Sequence, residues 1–384
     1  MATGVAIVGA AEADEIGIVP GKNAMQMHAE AAANALAHAG ISLREVDALF
    51  TCGVDYAPSL MVAEYLGIQP RFSSSNSIGG SSFVAHVHEA VLAIGAGECS
   101  VALITHGETR RSNRRRGVST RPSHDDPWLP DWQWERIYGV ATPPPAYALA
   151  ASRHMHEYGT TSEQLAEIAV ATRHWASLNP RALHRDRITI DDVLSSPWVV
   201  YPFHQLDCCL VTDAGGAVVL TTVERARGLG GPVIEVLGSA VAHTHHMISQ
   251  MPDLTVTPAA ISGPAAYAQA GVSPSDIDVA ELYDSFTYTV LAQLEDLGFC
   301  GKGEGGAFVT GQRTAPGGDF PLNTSGGGLS YTHPGMFGMF LLIEAVRQLR
   351  GECGERQVAG SEIALVNGMG GYLSSSATAI LARV

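Results

Sequence analysis

The chain repeats itself, and this internal repeat restricts the possible folds more than any other feature of the sequence. Residues 38–49 (HAGISLREVDAL) resemble residues 269–280 (QAGVSPSDIDVA) in their spacing and residue types. Each copy is typical of a helix end, a glycine stop, a short turn and then a strand. The same local structure is therefore predicted at two places in the chain.

A second pair of matches follows the first pair in the same order. The motifs Glu-Ala-Val and Gly-Glu-Cys occur at 89–91 and 97–99, and again at 344–346 and 351–353. An apolar strand is predicted after each Gly-Glu-Cys motif. A chain of 384 residues is long enough for two core-forming halves of roughly 150–200 residues each. We interpret it as a duplication of a β-α-β-α-β unit, with one half at 1–230 and the other at 231–384.

Two predicted helices, at 81–97 and 337–349, are apolar almost all the way round. A helix of this kind lies between layers of a protein, because it has no face that suits water. One such helix in each half predicts an α/β fold with a sheet on either side of a helical layer. The hydrophobic content of 46% and the charged content of only 16% agree with a large buried core.

Residues 107–205 have no counterpart in the second half, so we interpret them as a loop domain inserted into the first half. A Trp- and Pro-rich loop is predicted at 127–145 and an amphipathic helix at 162–178. Long insertions in compact domains are usually functional or interfacial. The insertion begins with a basic run, Arg110, Arg111, Arg114, Arg115 and Arg116. This run suits phosphate groups or an acidic partner, but it also suits a plain solvated loop.

The charge and composition argue against several classes of protein. A net charge of −15 argues against nucleic acid as a main partner, because phosphate backbones require a basic surface. No run of about 18 apolar residues and no basic signal-peptide start are present, so no membrane span or signal peptide is predicted. The six cysteines form no CxxC pair, which argues against a zinc site on this chain. We expect reduced thiols, no metal and a cytoplasmic location.

Two glycine-rich segments, 76–82 (NSIGGSS) and 326–335 (GGGLSYTHPG), come directly before the two apolar helices. Helix N-termini carry unpaired N–H groups and the positive end of the helix dipole. If the halves pack about a pseudo-twofold axis, the two ends meet in a cleft whose donors suit an enolate or thioester oxygen. The alternative is that the glycines only allow tight turns. Two further candidate segments follow strands, 281–288 (ELYDSFTY) and 367–372 (NGMGGY).

These segments resemble the thiolase superfamily, on the branch of the sterol-carrier-protein thiolases and their bacterial lipid-transfer-protein relatives. The resemblance covers nearly the whole chain. It rests on Ala93-Ile94 with Gly97, Gly107-Glu108, Tyr283-Asp284-Ser285-Phe286 at the family's Asn-Glu-Ala-Phe motif, and residues 323–327 running to His333-Pro334 at its Gly-His-Pro motif. It implies the thiolase fold, a five-layered α/β/α/β/α sandwich that is usually a homodimer, with CoA thioesters as substrates.

The departures from the family pattern concern its catalytic cysteines. The position of the thiolase nucleophile falls on Gly80, beside Ser81, and the second catalytic cysteine falls at about Asn367. The first residue of the Asn-Glu-Ala-Phe motif becomes Tyr283, whereas His333 of the Gly-His-Pro motif is kept. Because both thiols are absent, the resemblance does not carry over the family's acyl-enzyme chemistry.

This pattern resembles the thiolase-like aldolases that shorten steroid side chains. Those enzymes cleave a β-hydroxyacyl-CoA by a retro-aldol reaction, which gives a ketone or aldehyde and a shorter acyl-CoA. The resemblance implies propionyl-CoA or acetyl-CoA as one product and a small partner protein of OB-fold and zinc-ribbon type. It implies no cofactor on this chain, since CoA is part of the substrate. Retro-aldol cleavage needs a base, an acid and donors to the enolate oxygen, but no covalent nucleophile.

Candidate roles follow from the resemblance. Tyr283 and Tyr331, which replace or adjoin family motifs, are the predicted proton-transfer pair. His333 is the predicted donor to the enolate oxygen, and Asp284 either orients Tyr283 or His333 or simply caps a helix. The predicted substrate and oxyanion residues are Gly80, Ser81, Asn367 and Gly370.

Two other functions are compatible with the sequence. One is an acyltransferase or thiolase that uses a non-cysteine nucleophile, Ser81, which would need a base to activate it. The other is a non-catalytic carrier of acyl-CoA or lipid with the same fold. An acyl adduct on Ser81 would identify the first, and binding of acyl-CoA without turnover would identify the second.

Overall fold

The computed structural model describes residues 3–53, 56–115 and 126–384. The strands are β1 (Val5–Glu12), β2 (Ala48–Thr51), β3 (Phe72–Ser75), β4 (Val101–Thr109), β5 (Trp198–Val200), β6 (Phe203–His204), β7 (Asp213–Thr222), β8 (Ile234–His243), β9 (Val279–Leu282), β10 (Ile363–Gly370) and β11 (Ser375–Arg383).

Helices make up the remaining regular structure of the described residues. They are α1 (Ala24–Ala39), α2 (Pro58–Leu66), α3 (Ser82–Gly95), α4 (Arg110–Arg115), α5 (Pro130–Trp134), α6 (Pro143–Tyr158), α7 (Ser162–Ser177), α8 (Ile190–Ser195), α9 (Val223–Arg227), α10 (Ala259–Ala270), α11 (Thr287–Asp296), α12 (Gly305–Val309) and α13 (Gly338–Arg350). In the described part of the chain, none of them has both the length and the apolar surface required to cross a membrane.

The duplication is visible in the strand order of the main sheet. Four strands of the first half run in the order β2-β4-β7-β1, and four strands of the second half run in the order β9-β10-β11-β8. In each set the first pair is parallel and the next two pairs are antiparallel. The sets meet edge to edge, where two residues of β1 pair with two of β8. The division predicted at residues 230 and 231 lies between α9 and β8 and stays a prediction.

Helices lie on both faces of each set of strands. Gly215 packs against α1, whereas the next residue, Gly216, packs against Met339 of α13. Because successive residues of a strand point to opposite faces, α1 and α13 cover opposite faces of the first-half strands. Helix α10 covers the outer face of the second-half strands, and α3 and α13 contact strands of both halves. The predicted α/β/α/β/α sandwich is confirmed, with α3 and α13 as its inner layer.

The two inner helices begin beside each other. Gly338, the first residue of α13, packs against the carbonyl oxygen of Gly80, two residues before α3 begins. The helices predicted at 81–97 and 337–349 are confirmed to within two residues at each end. Their N-termini therefore meet at the junction of the halves, as the packing about a pseudo-twofold axis requires.

The insertion contains more regular structure than the sequence predicted. Helix α7 confirms the helix predicted at 162–178, but the segment predicted as a loop at 127–145 contains α5 and the start of α6. Both helices begin at a proline, Pro130 and Pro143. Proline is well suited to the first turn of a helix, where its missing N–H leaves no hydrogen bond unmade. Arg116 of the basic run lies outside the described residues.

A buried ion pair connects the two halves. Glu12, at the end of β1, accepts hydrogen bonds from Arg347 of α13 at 2.6 and 2.5 Å and from the Tyr331 hydroxyl at 2.6 Å. Burial acts to raise the pKa of Glu12, but Arg347, and to a smaller extent Arg181, lower it to about 2. The carboxylate is therefore ionised at all but strongly acid pH.

Glu12→Gln is expected to destabilise the protein by about 3 kcal/mol at pH 7, because it leaves the largely buried Arg347 without its counter-charge. Since the pKa of Glu12 is lower in the folded chain than its ordinary value of 4.5, its contribution is complete above pH 4.5 and is lost as the pH falls toward 2. Urea unfolding at several pH values measures both effects.

Glu15→Gln is the matched control, because Glu15 is exposed and lies 3.8 Å from Lys22. We expect it to change the free energy of unfolding by no more than about 0.5 kcal/mol. Equal losses in the two variants would show that the Glu12 pair contributes nothing specific to the junction.

Candidate active site

A tyrosine and a histidine meet where the two halves join. Tyr283 directly follows β9, and His333 lies between a turn of π-helix (Gly327–Tyr331) and α13. The Tyr283 hydroxyl oxygen and His333 Nε2 are 3.0 Å apart in a buried hydrogen bond. Thr212 of the first half holds the His333 backbone, accepting from its N–H at 2.9 Å and donating to its carbonyl at 3.2 Å. Both Tyr283 and His333 belong to the second half, and the first half holds His333 in position.

Gly80 provides the space that Tyr283 occupies. A Cβ atom on Gly80 would overlap Cε2 and Cζ of the Tyr283 ring. The ring therefore lies directly on the backbone at the start of α3, where any side chain at position 80 would exclude it. The sequence placed Gly80 and Tyr283 in the site for separate reasons, and the structure brings them into contact.

Burial keeps both members of the pair neutral. It raises the pKa of Tyr283 well above its ordinary value, with a smaller contribution from Cys209, and a backbone hydrogen bond of Phe337 opposes it. Burial, assisted by the charge of Arg110, lowers the pKa of His333 to about 3. Neither a tyrosinate nor an imidazolium is therefore the resting form near neutral pH. A proton can move within the pair only when a new charge forms beside it.

Asp284 shapes the turn that leads to His333. Its carboxylate oxygens accept hydrogen bonds from the N–H groups of Gly328 and Leu329, at 2.7 and 3.2 Å. Burial raises the pKa of Asp284 to about 7, and these backbone donors act in the opposite direction. Asp284 is predicted either to orient a catalytic residue or to cap a helix. These contacts match a cap, although Asp284 caps the π-helical turn and not helix α11, which follows it in the chain.

Ser81 and Gly370 join the two halves beneath the pair. The Ser81 hydroxyl donates to the carbonyl of Ile78 at 2.9 Å and lies 2.8 Å from Ser375 Oγ. Gly370 packs so closely that a Cβ atom there would overlap the Ile78 carbonyl oxygen. Ser375 lies 3.0 Å from Nδ1 of His243, but within the described ranges no histidine or carboxylate hydrogen-bonds to Ser81 itself. Ser81 is fully buried and lacks the adjacent base that a nucleophile needs.

Asn367 supports the backbone of Tyr283. Its side-chain nitrogen donates to Gln293 at 2.7 Å, and its side-chain oxygen accepts from Ser376 and Thr378 at 2.9 and 2.7 Å. Its carbonyl accepts from the Tyr283 N–H at 3.0 Å. Both polar atoms of the side chain make hydrogen bonds within the fold, and the predicted contact of Asn367 with substrate stays a prediction.

The structure corrects the predicted pairing of Tyr283 with Tyr331. The Tyr331 hydroxyl donates to Glu12, in the buried ion pair with Arg347, and not to the Tyr283 site. Burial, and then the charge of Glu12, raises the pKa of Tyr331 well above its ordinary value. A buried carboxylate is a strong acceptor for a phenol, which explains why Tyr331 turns away from the site. His333, two residues further on, takes the place beside Tyr283.

Three residues outside the predicted set lie near the pair. Tyr147, from α6 of the insertion, donates to the carbonyl of Gly371 at 3.0 Å, and burial raises its pKa to about 12. Burial also raises the pKa of Cys209 to about 12, so this thiol stays protonated. The guanidinium of Arg110 lies beside Gly335, close enough to influence His333. The basic run was the only sequence signal for any of these residues.

The arrangement suits proton transfer better than covalent catalysis. A neutral tyrosine and a neutral histidine share a hydrogen bond, whereas Ser81 is engaged elsewhere and the Cys209 thiol is not ionised. Such a pair can accept a proton from a substrate hydroxyl and return it, provided that the substrate develops negative charge nearby. Among the described residues, no group of three or more His, Cys, Asp or Glu side chains is arranged to hold a metal ion.

Comparisons with known proteins identify the family of the chain. The profile of the family described as Thiolase C-terminal domain-like matches residues 240–383. The chain is 36% identical to a steroid side-chain-cleaving aldolase of Thermomonospora curvata, over 91% of both chains. It is 38% identical to a 17-hydroxy-3-oxo-4-pregnene-20-carboxyl-CoA lyase of Mycobacterium tuberculosis, over 90% of this chain and 91% of that one.

Solved structures show the same fold. The Ltp2-ChsH2(DUF35) aldolase superposes with a TM-score of 0.90 at 34% identity, covering 100% of this chain and 98% of that chain. An acetyl-CoA acetyltransferase from Syntrophomonas wolfei superposes with a TM-score of 0.73 at 18% identity, covering 99% and 98% of the two chains. The second likeness concerns the fold alone.

Gly80→Ala is expected to displace Tyr283, because the new methyl group would overlap its ring. We expect a loss of about 1–3 kcal/mol in the free energy of unfolding and an altered near-ultraviolet circular dichroism spectrum. Gly95→Ala is the matched control, since nothing lies within 4 Å of a Cβ atom at this exposed end of α3. The control should gain about 0.5–1 kcal/mol. Similar stabilities and spectra for the two variants would contradict the contact between Gly80 and Tyr283.

Proposed function

The chain belongs to the thiolase superfamily, and we propose that it is an aldolase that cleaves a β-hydroxyacyl-CoA by a retro-aldol reaction. The observation that carries this proposal is the Tyr283–His333 pair. The Tyr283 ring lies on Gly80, just before α3, at the position where the resemblance places the thiolase nucleophile. The relatives with lyase activity match nearly the whole chain. The products are a ketone or aldehyde and a shortened acyl-CoA, either propionyl-CoA or acetyl-CoA, and the names of these relatives support a steroid side chain as the substrate.

The first step removes the proton of the β-hydroxyl group. Tyr283 accepts it while passing its own phenolic proton to His333 Nε2, across the 3.0 Å hydrogen bond. The bond between the α- and β-carbons then breaks, and its electron pair moves onto the thioester as an enolate. The enolate supplies the negative charge that a buried imidazolium requires, which is why a histidine with a pKa of about 3 can accept the proton at this moment.

The second step returns the proton to carbon. The imidazolium of His333 passes its proton back through Tyr283 to the α-carbon of the enolate, which gives the shorter acyl-CoA. The proton that leaves the hydroxyl is balanced by the proton that reaches the carbon, so no cofactor and no outside acid are needed. The N-termini of α3 and α13, which meet beside Tyr283, supply backbone N–H donors for the enolate oxygen.

The remaining site residues position this pair. Asp284 holds the turn before His333, Thr212 holds the His333 backbone, and Asn367 holds the Tyr283 backbone. Ser81 packs beneath them with its hydroxyl occupied. These contacts favour the aldolase over an acyltransferase with Ser81 as its nucleophile.

The assembly and location of the protein are further parts of the proposal. The similar structure is the Ltp2-ChsH2(DUF35) aldolase, so we propose a second protein as a partner of this chain, of OB-fold and zinc-ribbon type. We also propose a homodimeric core, on the ground of the low charged fraction and the family resemblance. All six cysteines are free, which supports a reducing, cytoplasmic location.

Tyr283→Phe and Tyr331→Phe test the mechanism, because each removes one buried phenolic oxygen, one inside the proposed proton path and one outside it. We expect Tyr283→Phe to lower kcat by about 10²–10⁴-fold, since it breaks the proton path. Tyr331→Phe should lose about 1–3 kcal/mol of stability through its hydrogen bond to Glu12 and keep kcat within a few-fold. Mass spectrometry of products from a β-hydroxyacyl-CoA with a tertiary alcohol, with and without the partner protein, measures turnover.

The outcomes separate the alternatives. Release of a ketone and a shortened acyl-CoA without added free CoA supports the aldolase. Loss of activity in Tyr331→Phe but not in Tyr283→Phe would contradict the assigned pair. An acyl adduct on Ser81, or binding of acyl-CoA without any product in either preparation, would replace the aldolase with the acyltransferase or the carrier.

A further inference from the structure

Helix α4 is a concentration of positive charge in an acidic protein. Four of its six residues are arginine, whereas the whole chain has 23 Lys and Arg against 38 Asp and Glu. Helix propensity alone does not explain this composition, because neutral or acidic residues would serve equally well. Like charges at neighbouring positions of a short helix repel one another, and a bound anion relieves that repulsion.

The helix is held firmly by contacts that do not use its outer arginines. The buried carboxylate of Asp213, on β7, accepts hydrogen bonds from the N–H and the hydroxyl of Ser112, at 3.0 and 2.5 Å. Arg111 donates to the carbonyl of Val211 at 3.2 Å. Arg114 and Arg115 are exposed. The frame of the helix is therefore built by Ser112 and Asp213, which leaves the outer guanidinium groups available.

The anchored Arg111 and the two outer arginines, Arg114 and Arg115, line one cavity. Arg111, Arg114 and Arg115 lie with Val211 around a space of about 360 Å³. In the described ranges 3–53, 56–115 and 126–384, no carboxylate lies within ion-pair distance of these three arginines. Burial lowers the pKa of His184 on the neighbouring loop; the charges of Arg173 and Arg111 lower it further, and Asp186 acts in the opposite direction. The cavity is thus positive in character and suits an anion.

The helix also connects this cavity to the catalytic pair. Its first residue, Arg110, lies beside Gly335 and influences His333, and the outer arginines follow within the next two turns. An α-helix of six residues is about 9 Å long. The catalytic pair therefore lies at one end of α4, and the cavity lies along the rest of the helix.

We propose that Arg111, Arg114 and Arg115 bind the phosphate groups of the substrate's CoA nucleotide. This proposal rests on the proposed function, because it names the binding site for the part of acyl-CoA that does not react. Guanidinium groups bind phosphate oxygens through paired hydrogen bonds, and a positive cavity on an acidic protein also draws a polyanion toward the correct end of the site.

The test combines Arg114→Gln and Arg115→Gln in one variant, which leaves the anchored Arg111 in place. Isothermal titration of the purified chain with CoA, dephospho-CoA and pantetheine measures the contribution of the phosphates. We expect the variant to bind CoA at least about tenfold more weakly and to bind pantetheine as the wild type does. In turnover, KM for acyl-CoA should rise by a similar factor with kcat within about twofold. Arg44→Gln, an exposed arginine beside β2, is the matched charge control and should change none of these values.

Each other outcome overturns the assignment in a distinguishable way. If the wild type prefers CoA to pantetheine and the variant does so equally, the phosphates bind elsewhere and the proposed function stands. If CoA binding is unchanged and only binding of an acidic partner protein weakens, the arginines form a protein interface. If the wild type binds neither CoA nor acyl-CoA, the proposed function itself fails together with this site.

Discussion

The contact between the Tyr283 ring and the backbone of Gly80 is the constraint on which the site depends. It requires a residue without a side chain at the start of α3 and an aromatic residue at the end of β9, in opposite halves of the molecule. The close approach of the halves continues below it, where Gly370 packs on Ile78 and Gly338 on Gly80. Glycine at these positions therefore does more than permit turns, because each removes atoms that would keep the two halves apart.

This packing also determines the chemistry. The ring that covers Gly80 brings the Tyr283 hydroxyl to His333, in surroundings that keep both groups neutral at rest. A side chain at position 80 and the tyrosine ring cannot occupy the same space. The proposed reaction without a covalent intermediate agrees with this packing and with the missing thiols.

Much of the fold follows from the sequence, because two copies of one pattern in the same order predict two similar halves, and two wholly apolar helices predict a layer between sheets. The sequence also selected Tyr283, His333 and Gly80 as candidates; the structure places them together, and their roles stay predictions. The sequence paired Tyr331 with Tyr283, but the Tyr331 hydroxyl donates to Glu12. Tyr331 and His333 lie in one turn and point in different directions, and the position of the Glu12–Arg347 pair, which decides this, is not visible in the sequence. The prolines that begin α5 and α6 were taken for loop residues, although the first turn of a helix accepts them.

The residues that surround the pair were harder to predict. Tyr147 and Arg110 come from the insertion or its beginning, which has no second copy for comparison, so their distance from His333 depends on tertiary packing alone. The side chain of Asn367 is another such case, since its place in the sequence predicts contact with substrate but does not show that its oxygen accepts from Ser376 and Thr378. The spacing of residues along the chain does not show which polar atoms already make hydrogen bonds within the fold.

The fate of the CoA group tests the central claim most directly. A β-hydroxyacyl-CoA with an isotopically labelled pantetheine arm would be turned over in the presence of excess unlabelled CoA, and the shortened acyl-CoA analysed by mass spectrometry. Retro-aldol cleavage neither breaks nor forms a thioester bond, so we predict that the short acyl-CoA keeps the full label and that the other fragment is released as a ketone or aldehyde without CoA. An unlabelled CoA thioester of that other fragment would show that an acyl group had been transferred to free CoA, and it would contradict a reaction carried by Tyr283 and His333 alone.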